Sequence, residues 1–221
     1  MKKLFIASGL IILIALAAVL TLMFMNSSPS EIIGDEETSD ETKTDYEQIS
    51  TDINVDGLLR ISGITGYNGK LAIIAENISD TDIEYMLLTA KNGNQTYTFN
   101  ASVLMKNTEI MLICNENVNS DFDATQMIWE TENVINFSTP PSMNPDVFEI
   151  SVLDGSISVK NISDKNIDTD VFIYYKEKIN GFPDGSITHK IRIAGLATSA
   201  VTYIKTPGIN EKNCEIVFTQ Y

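Results

Sequence analysis

The sequence predicts an all-β protein in which two tandem antiparallel β-sandwich domains follow an N-terminal transmembrane helix and a disordered acidic stalk. Three observations support this fold class. An uncharged apolar run opens the chain, short strand-like runs separated by Asn-Gly and Asp-Gly dipeptides fill most of the remainder, and one seven-residue segment occurs twice. No stretch after Met25 keeps a helical apolar period over three turns.

Residues 1–25 are predicted to be a signal-anchor helix. Leu4 to Met25 contain no charged residue and follow Lys2 and Lys3 directly. A helix of this length covers roughly 33 Å, against about 30 Å for a bilayer core. The lysines favour a cytoplasmic N-terminus. We therefore expect a single-pass protein of the cell membrane that contacts the lipid bilayer through residues 4–25 and has extracellular C-terminal domains. A cleaved signal peptide stays open, although its apolar core is usually only about 7 to 15 residues long.

Residues 26–50 are predicted to be a disordered acidic stalk. This segment has eight acidic residues and one lysine, and Ile32 and Ile33 are nearly its only large aliphatic residues before Tyr46. Such a composition buries too little apolar area to offset the entropy cost of ordering the chain. A run of like charge usually acts as a solvated spacer, and a ligand-binding acidic tail is the alternative.

The rest of the chain is predicted to form two strand-rich domains. Asn-Gly and Asp-Gly supply the positive φ values that two-residue hairpin turns require. Six candidate strands lie in a first domain at residues 51–137, and six lie in a second domain at residues 146–221. A proline-rich linker at residues 138–145 separates them, because its three prolines remove backbone donors and favour extended backbone. The turn dipeptides are Asp56-Gly57, Asn68-Gly69, Asn92-Gly93, Asp154-Gly155 and Asp184-Gly185.

A repeated segment indicates that the two domains arose by duplication. The sequence from Asn77 to Ile83 returns from Asn161 to Ile167 with identity at five of seven positions. Asn, Asp and Ser side chains bond to neighbouring backbone groups, so we assign the repeat to a structural turn. The turn residues are Asn77, Ser79, Asp80, Asn161, Ser163 and Asp164.

The order of these features carries a resemblance. A hairpin, an Asn-x-Ser-Asp turn, an apolar strand and a strand that closes at a Leu corner resemble the small Ig-like sandwich domains of Gram-positive exported proteins. The segments Tyr174 to Lys176, Gly185 to Thr188 and Ile216 to Phe218 are similar to uncharacterised bitopic membrane proteins of Firmicutes. The resemblance implies two Ig-like domains on the extracellular side, and it implies no activity.

Residues that could bind metal form only an incomplete pattern. Asn119, Asp121, Asp123 and Glu130 approximate a calcium loop, but Ala124 replaces the glycine that the sharp turn needs. We interpret this segment as an acidic hairpin loop and expect no metal and no cofactor.

The cysteines and the histidine are the remaining candidates for chemistry. Cys114 and Cys214 are the only cysteines, and an exported location permits a disulfide. They occupy different places in the repeat, so a bond would join the two domains; two free thiols are the alternative. His189 is the sole histidine and lies on a strand with Ile191 and Ile193, where a structural role is expected.

Charge and motif content limit the function classes. The net charge of −15 disfavours nucleic acid as a partner. Catalytic residues are not predicted, because no serine lies in a nucleophile elbow and a hydrolase would depend on His189 alone. We expect a non-catalytic protein-interaction or structural module with a protein partner at the cell surface. The alternative is an extracellular solute- or carbohydrate-binding protein that uses aromatic residues such as Tyr67, Tyr97, Trp129, Tyr174 and Tyr175.

Overall fold

Alternation of apolar and polar side chains makes the chain form strands that bury one face. The computed structural model describes residues 48–117 and 126–221, which form fourteen β-strands in antiparallel sheets. The all-β class predicted from the sequence is confirmed. The predicted transmembrane helix and nearly all of the predicted stalk lie outside the described residues. Within these residues no helix is long and apolar enough to span a membrane.

The N-terminal sheet pair consists of a four-stranded and a three-stranded sheet around one core. The four-stranded sheet has the order β1-β2-β3-β6, and the three-stranded sheet has the order β5-β4-β7. Leu59, Ile73 and Leu112 of the first sheet and Leu88 and Phe99 of the second belong to the same buried cluster. The strands are β1 Ile49–Val55, β2 Leu59–Tyr67, β3 Lys70–Asn77, β4 Ile83–Asn92, β5 Gln95–Leu104, β6 Glu109–Asn117 and β7 Ile128–Asn136.

The C-terminal sheet pair has the same design. One sheet has the order β8-β9-β13, and in the other β10 pairs with β11, β12 and β14. Phe148, Ile157, Val159, Val171 and Ile193 form a second buried cluster. The strands are β8 Phe148–Leu153, β9 Ser156–Asn161, β10 Ile167–Ile179, β11 Phe182–Pro183, β12 His189–Leu196, β13 Val201–Lys205 and β14 Cys214–Gln220.

Strand order and register make the two sheet pairs equivalent position by position. The order β2-β3-β6 corresponds to β8-β9-β13, and β5-β4-β7 corresponds to β12-β10-β14. Ile74 on β3 faces Met111 on β6, and Ser158 on β9 faces Tyr203 on β13. Ser158 lies 84 positions after Ile74, which is the same step that relates Asn161 to Asn77. Ile74 and Ser158 are therefore equivalent, and so are their cross-strand partners Met111 and Tyr203.

Several elements differ from the sequence prediction. Strand β1 was not predicted and begins at Ile49, inside the segment predicted as stalk. The Asp184-Gly185 dipeptide was predicted as a hairpin turn, and this was wrong. The β10–β11 hairpin turns instead at Asn180 and Gly181, whose φ values are 52° and 90°. This pair supplies the two left-handed residues that a tight turn needs, and Asp184-Gly185 is used elsewhere.

Candidate functional site

The Asn77 side chain ties together a buried corner of the N-terminal sheet pair. Its amide donates hydrogen bonds to the carbonyls of Thr81 and Leu104, each at 2.9 Å. Its Oδ1 accepts from the backbone N–H of Ser79 at 3.0 Å and from the Ser79 hydroxyl at 2.7 Å. The residue is fully buried, and this one side chain makes four hydrogen bonds that satisfy its own polar atoms.

Asn161 repeats this network in the C-terminal sheet pair. It donates to the carbonyls of Lys165 at 2.8 Å and Leu196 at 3.0 Å, and it accepts from Ser163 N–H at 2.9 Å and Oγ at 2.7 Å. Both sets of bonds run between equivalent positions. The repeated sequence segment therefore encodes a structural corner.

The two aspartates assigned to this turn do not take part in the corner networks. Asp80 and Asp164 are exposed, and Asp80 forms an ion pair with Lys106 at 3.2 Å. The side-chain bond to the next loop comes from Asp82, which accepts the Lys106 N–H at 2.8 Å, and from Asn166 at the equivalent place. The bond to the next loop thus comes from the residue two positions after each of these aspartates.

Cys114 and Cys214 are both buried and not bonded to each other. Cys114 lies in the core of the N-terminal sheet pair and Cys214 in that of the C-terminal pair. Burial raises the pKa of the Cys114 thiol, and burial with the nearby Glu177 charge raises the pKa of Cys214 to about 11. Both groups are therefore protonated at neutral pH, and in this structure both thiols are free.

His189 is held by an aromatic neighbour and a carboxylate. Its ring stacks on Tyr175 with centroids 4.9 Å apart, and its Nε2 lies 3.6 Å from Glu177 Oε1. Cys214 pairs with Glu177 in the strand register, but its raised pKa does not favour the thiolate that a nucleophile needs. The local geometry thus gives His189 packing and charge partners.

The calcium candidate lies mostly outside the described residues. Asn119, Asp121 and Asp123 belong to the undescribed segment, and Glu130 forms an ion pair with Lys91 at 2.5 Å. Across residues 48–117 and 126–221, no group of three acidic, histidine or cysteine side chains is arranged to hold a metal ion.

One loop of the C-terminal sheet pair docks on the N-terminal pair. We call residues 184–188 the junction loop. The Gly185 N–H donates to the Met111 carbonyl on β6 at 2.7 Å, and the Gly185 carbonyl accepts from the Ser102 N–H on β5 at 2.8 Å. Asp184 also forms a parallel bridge with Met111. The loop thus spans the gap between the edges of two sheets and joins both.

The docked position requires a glycine for space. A Cβ at Gly185 would lie 2.5 Å from Ile110 Cδ1 and 2.6 Å from Leu112 Cδ2, and both side chains are buried in the core. No substituent fits at these distances without displacing core atoms. Asp184-Gly185 therefore serves contact between the sheet pairs.

A buried lysine fixes the same junction. The Lys176 ammonium donates to the carbonyls of Ser102 at 2.7 Å, Asp184 at 2.6 Å and Ile187 at 3.3 Å. Its burial lowers its pKa to about 8, while the charges of Asp184 and Glu215 act in the opposite direction. Three acceptors from two sheet pairs share one cation, so the group is a cross-link.

The segment predicted as a linker is fastened to the C-terminal sheet pair. Ser142 bridges to Thr219, whose N–H donates to the Ser142 carbonyl at 2.8 Å. Asn144 donates to Thr219 Oγ1 at 2.7 Å. Phe137 packs edge-on against Phe218 at 5.6 Å between ring centroids. These contacts restrict the movement that a free linker would allow.

A cleft of about 500 Å³ lies beside this segment, and we call it the junction cleft. Stacked Tyr174 and Phe218 rings, 4.0 Å apart, line it together with Phe137, Tyr221 and Pro140. Its aromatic faces fit flat apolar groups of a ligand.

Most of the aromatic residues proposed for ligand binding are elsewhere. Tyr97 and Tyr175 are buried, and Trp129 packs on the core of the N-terminal sheet pair. Of the five, Tyr174 is the one that lines the junction cleft. Phe137 and Phe218 were not predicted as site residues, since nothing in their local sequence indicates that they meet.

Exposed apolar side chains occur on strands at sheet edges. Ile128 and Ile135 on β7 are 63% and 52% exposed, and Val201 and Tyr203 on β13 are 43% and 66% exposed. Both strands pair on one side only. Strand β7 also has a positive φ at Asn133 and register irregularities, which weaken it as a template for pairing.

No protein-family model, no curated protein and no solved structure matches this chain. The geometry of the junction and of the exposed edges therefore carries the functional argument.

Proposed function

We propose that this chain is a membrane-anchored extracellular protein whose two Ig-like β-sandwich domains act as a non-catalytic protein-interaction or structural module at the cell surface. The single observation that carries the proposal is the exposure of large apolar side chains on the edge strands β7 and β13. Edge strands offer backbone groups for pairing and side chains for specificity.

The sequence supports the membrane location. The uncharged run from Leu4 to Met25 is long enough to span a bilayer, and the two lysines before it favour a cytoplasmic N-terminus. The resemblance to bitopic Firmicutes proteins supports the same location and the Ig-like assignment. The acidic stalk would hold the domains off an anionic membrane surface by charge repulsion.

The contacts at the junction support a role that needs a stiff frame. The junction loop and the Lys176 cross-link join the two sheet pairs at one junction, and Ser142 fastens the segment between the pairs to Thr219 of the C-terminal pair. A partner bound at one edge would therefore meet a surface whose neighbours are fixed, which lowers the entropy cost of binding.

Retention of surface proteins from the source cells tests this proposal. The full chain in detergent micelles is immobilised, and we expect saturable retention of a discrete protein. The variant that combines Ile128→Glu with Tyr203→Glu should lose at least about tenfold in retention, because central apolar contacts dominate interface energies. Leu153→Glu, an exposed position on edge strand β8, is the matched control. Equal retention by the double variant would reject the interaction role.

The second candidate function is binding of a solute or carbohydrate in the junction cleft. The stacked rings of Tyr174 and Phe218 favour it, since sugar faces and planar apolar groups pack on aromatic rings. A glycan and solute screen that finds saturable binding, lost with Tyr174→Ala and kept with Tyr203→Ala, would support this candidate. Binding unaffected by Tyr174→Ala would exclude the cleft.

A further inference from the structure

We propose that the β12–β13 side of the C-terminal sheet pair is a docking site for an acidic, glycine-containing loop of a partner β-domain. This inference rests on the interaction role proposed above and names its surface and the chemistry of its partner. The molecule contains the template for such a contact, because the equivalent β5–β6 side of the N-terminal sheet pair holds the junction loop.

The two sides correspond residue by residue. Met111 on β6 is equivalent to Tyr203 on β13, as the cross-strand registers show. Met111 and Tyr203 are 92 positions apart, and the same step relates Leu104 to Leu196, whose carbonyls accept from Asn77 and Asn161 in the two corners. It therefore also relates Ser102 to Ala194. The residue after each of these last two has a positive φ, 54° at position 103 and 73° at position 195. The two sides thus share their strand register and the position of the positive φ.

The equivalent residues differ in what covers them. Met111, whose carbonyl accepts from the junction loop, is 1% exposed, whereas Tyr203 is 66% exposed. Ala194, at the place of Ser102, is also exposed. Among the described residues, Tyr203 has the largest exposed fraction of the large apolar side chains. A side chain of this size at the centre of an open edge is what an interface contact requires.

The backbone of β13 presents its free groups on this side. The Ala200 carbonyl accepts from the Asn161 N–H and the Thr206 N–H donates to the Gly155 carbonyl. Even-numbered residues of β13 thus face β9, and Tyr203, an odd-numbered one, directs its N–H and carbonyl away from β9. Met111 occupies the same phase on β6, and its outward carbonyl accepts the Gly185 N–H. The Tyr203 carbonyl therefore offers the acceptor that a second loop of this kind would use.

The occupant has to come from a partner chain of a different kind. The junction loop of this chain is already held by its own N-terminal sheet pair. The N-terminal sheet pair has no equivalent of the junction loop, because Asn92 pairs with Gln95 and the β4–β5 turn contains only two residues. A second copy of this chain thus has no loop of this type to offer without first opening its own junction.

Space and charge define the chemistry of that loop. In the template a Cβ at Gly185 would collide with side chains of β6, so a residue without a side chain is required between the edges. The template loop also contains Asp184. On β13 the place of Ile113 is taken by exposed Lys205, which forms no ion pair with any described residue. A loop that carries a carboxylate beside its glycine fits both features.

A loop peptide provides a direct test. The probe is a peptide with the sequence of residues 180–188 between two added terminal cysteines, which are oxidised to a disulfide so that the ring contains the template loop. The target is the ¹⁵N-labelled full chain in detergent micelles, with binding followed by NMR. We expect saturable shifts in the amides of β12 and β13, a loss of at least about tenfold in affinity with Tyr203→Glu, and normal binding to Leu153→Glu. The peptide with Gly185→Ala should not bind.

Three outcomes would overturn the docking site. They are the absence of shifts at β12 and β13 at millimolar peptide, shifts confined to the amides around Ser102, and a concentration-dependent dimer that shifts β13 without peptide. Single variants separate this result from the broader proposal. If Ile128→Glu alone abolishes retention of the surface partner and Tyr203→Glu does not, the interaction role stands and the β12–β13 site is rejected.

Discussion

Asn77 and Asn161 illustrate how one residue type determines a local structure. Each side chain is buried and bonds to two carbonyls and two donors, and an amide offers both polarities in one group. The neighbouring Asp80 and Asp164 are exposed, so the identity of these residues across the repeat has no structural explanation in this corner.

Replacement of the corner asparagine should be costly. Asn77→Ala removes the donor of the Leu104 carbonyl, which is a buried bond, together with one bond to Thr81 and two to Ser79, and a buried unsatisfied group costs about 1–3 kcal/mol. We expect the free energy of unfolding to fall by about 2–4 kcal/mol, measured by urea denaturation. Asp80→Ala is the control and should leave the midpoint unchanged. A loss with Asn77→Ala no larger than that of the control would contradict this assignment.

Val103 shows a different residue-scale effect. It is β-branched and has a φ of 54°, a conformation that costs roughly 1–2 kcal/mol for an L-residue, while glycine occupies the equivalent position 195. Ser102 beside it contributes its N–H and carbonyl to the junction, so this strained backbone coincides with the contact between the sheet pairs.

At the scale of elements, the β10–β12 connection distinguishes the two sheet pairs. Its counterpart in the N-terminal pair is a two-residue hairpin, whereas this connection contains β11 and the junction loop. The extra length allows it to reach the edges of β5 and β6, where its backbone completes bonds that an open edge would leave to water.

Substitution of the loop glycine should release this element. Gly185→Ala places a methyl group within about 2.6 Å of two core side chains, so we expect faster hydrogen exchange at the amides of Gly185 and Ser102, which donate across the junction. Ile187→Ala, at an exposed position of the same loop, serves as the control. Unchanged exchange at Ser102 in Gly185→Ala would show that the loop is not held by this contact.

At the scale of the whole molecule, Lys176 couples the two cores. It belongs to β10 of the C-terminal sheet pair and bonds to a β5 carbonyl of the N-terminal pair, with only 2% of its surface exposed. A cation in this position gives the contact between sheet pairs a dependence on pH that a hydrophobic contact would lack.

The pH dependence has a definite sign. Since the pKa of about 8 in the folded protein lies below the ordinary lysine value of 10.5, the folded protein releases the Lys176 proton first as the pH rises. The unfolded chain then binds more protons between pH 8 and 10.5, so the free energy of unfolding gains up to about 3 kcal/mol from this group across that window. Below pH 8 the gain is absent.

Comparison with a neutral variant isolates this effect. We expect the difference in free energy of unfolding between the wild type and Lys176→Met to move in favour of the wild type from pH 8 to pH 10, measured by urea denaturation. Contributions from buried thiols and tyrosines cancel in this comparison. Lys212→Met, at an exposed site, is the control. A difference that stays constant with pH would mean that the buried ammonium does not titrate in this range.

The sequence by itself determined the strand class and the repeated corner. Alternating burial and Asn-Gly turns depend on nearest neighbours along the chain, and the Asn77 network involves residues only a few positions away except for Leu104. For the same reason the pattern identified β4 and β9 closely but missed β1, whose apolar alternation is weak.

Only the tertiary structure decided the contact between the sheet pairs. Gly185 was interpreted as a turn residue because Asp-Gly usually forms one, and its true role depends on Ile110 and Leu112, more than 70 positions away. Lys176 looked like an ordinary strand residue because nothing local reveals burial against Ser102. Such contacts join distant parts of the chain, and the free energy that selects them comes from packing and shared hydrogen bonds that exist only after both sheet pairs have formed.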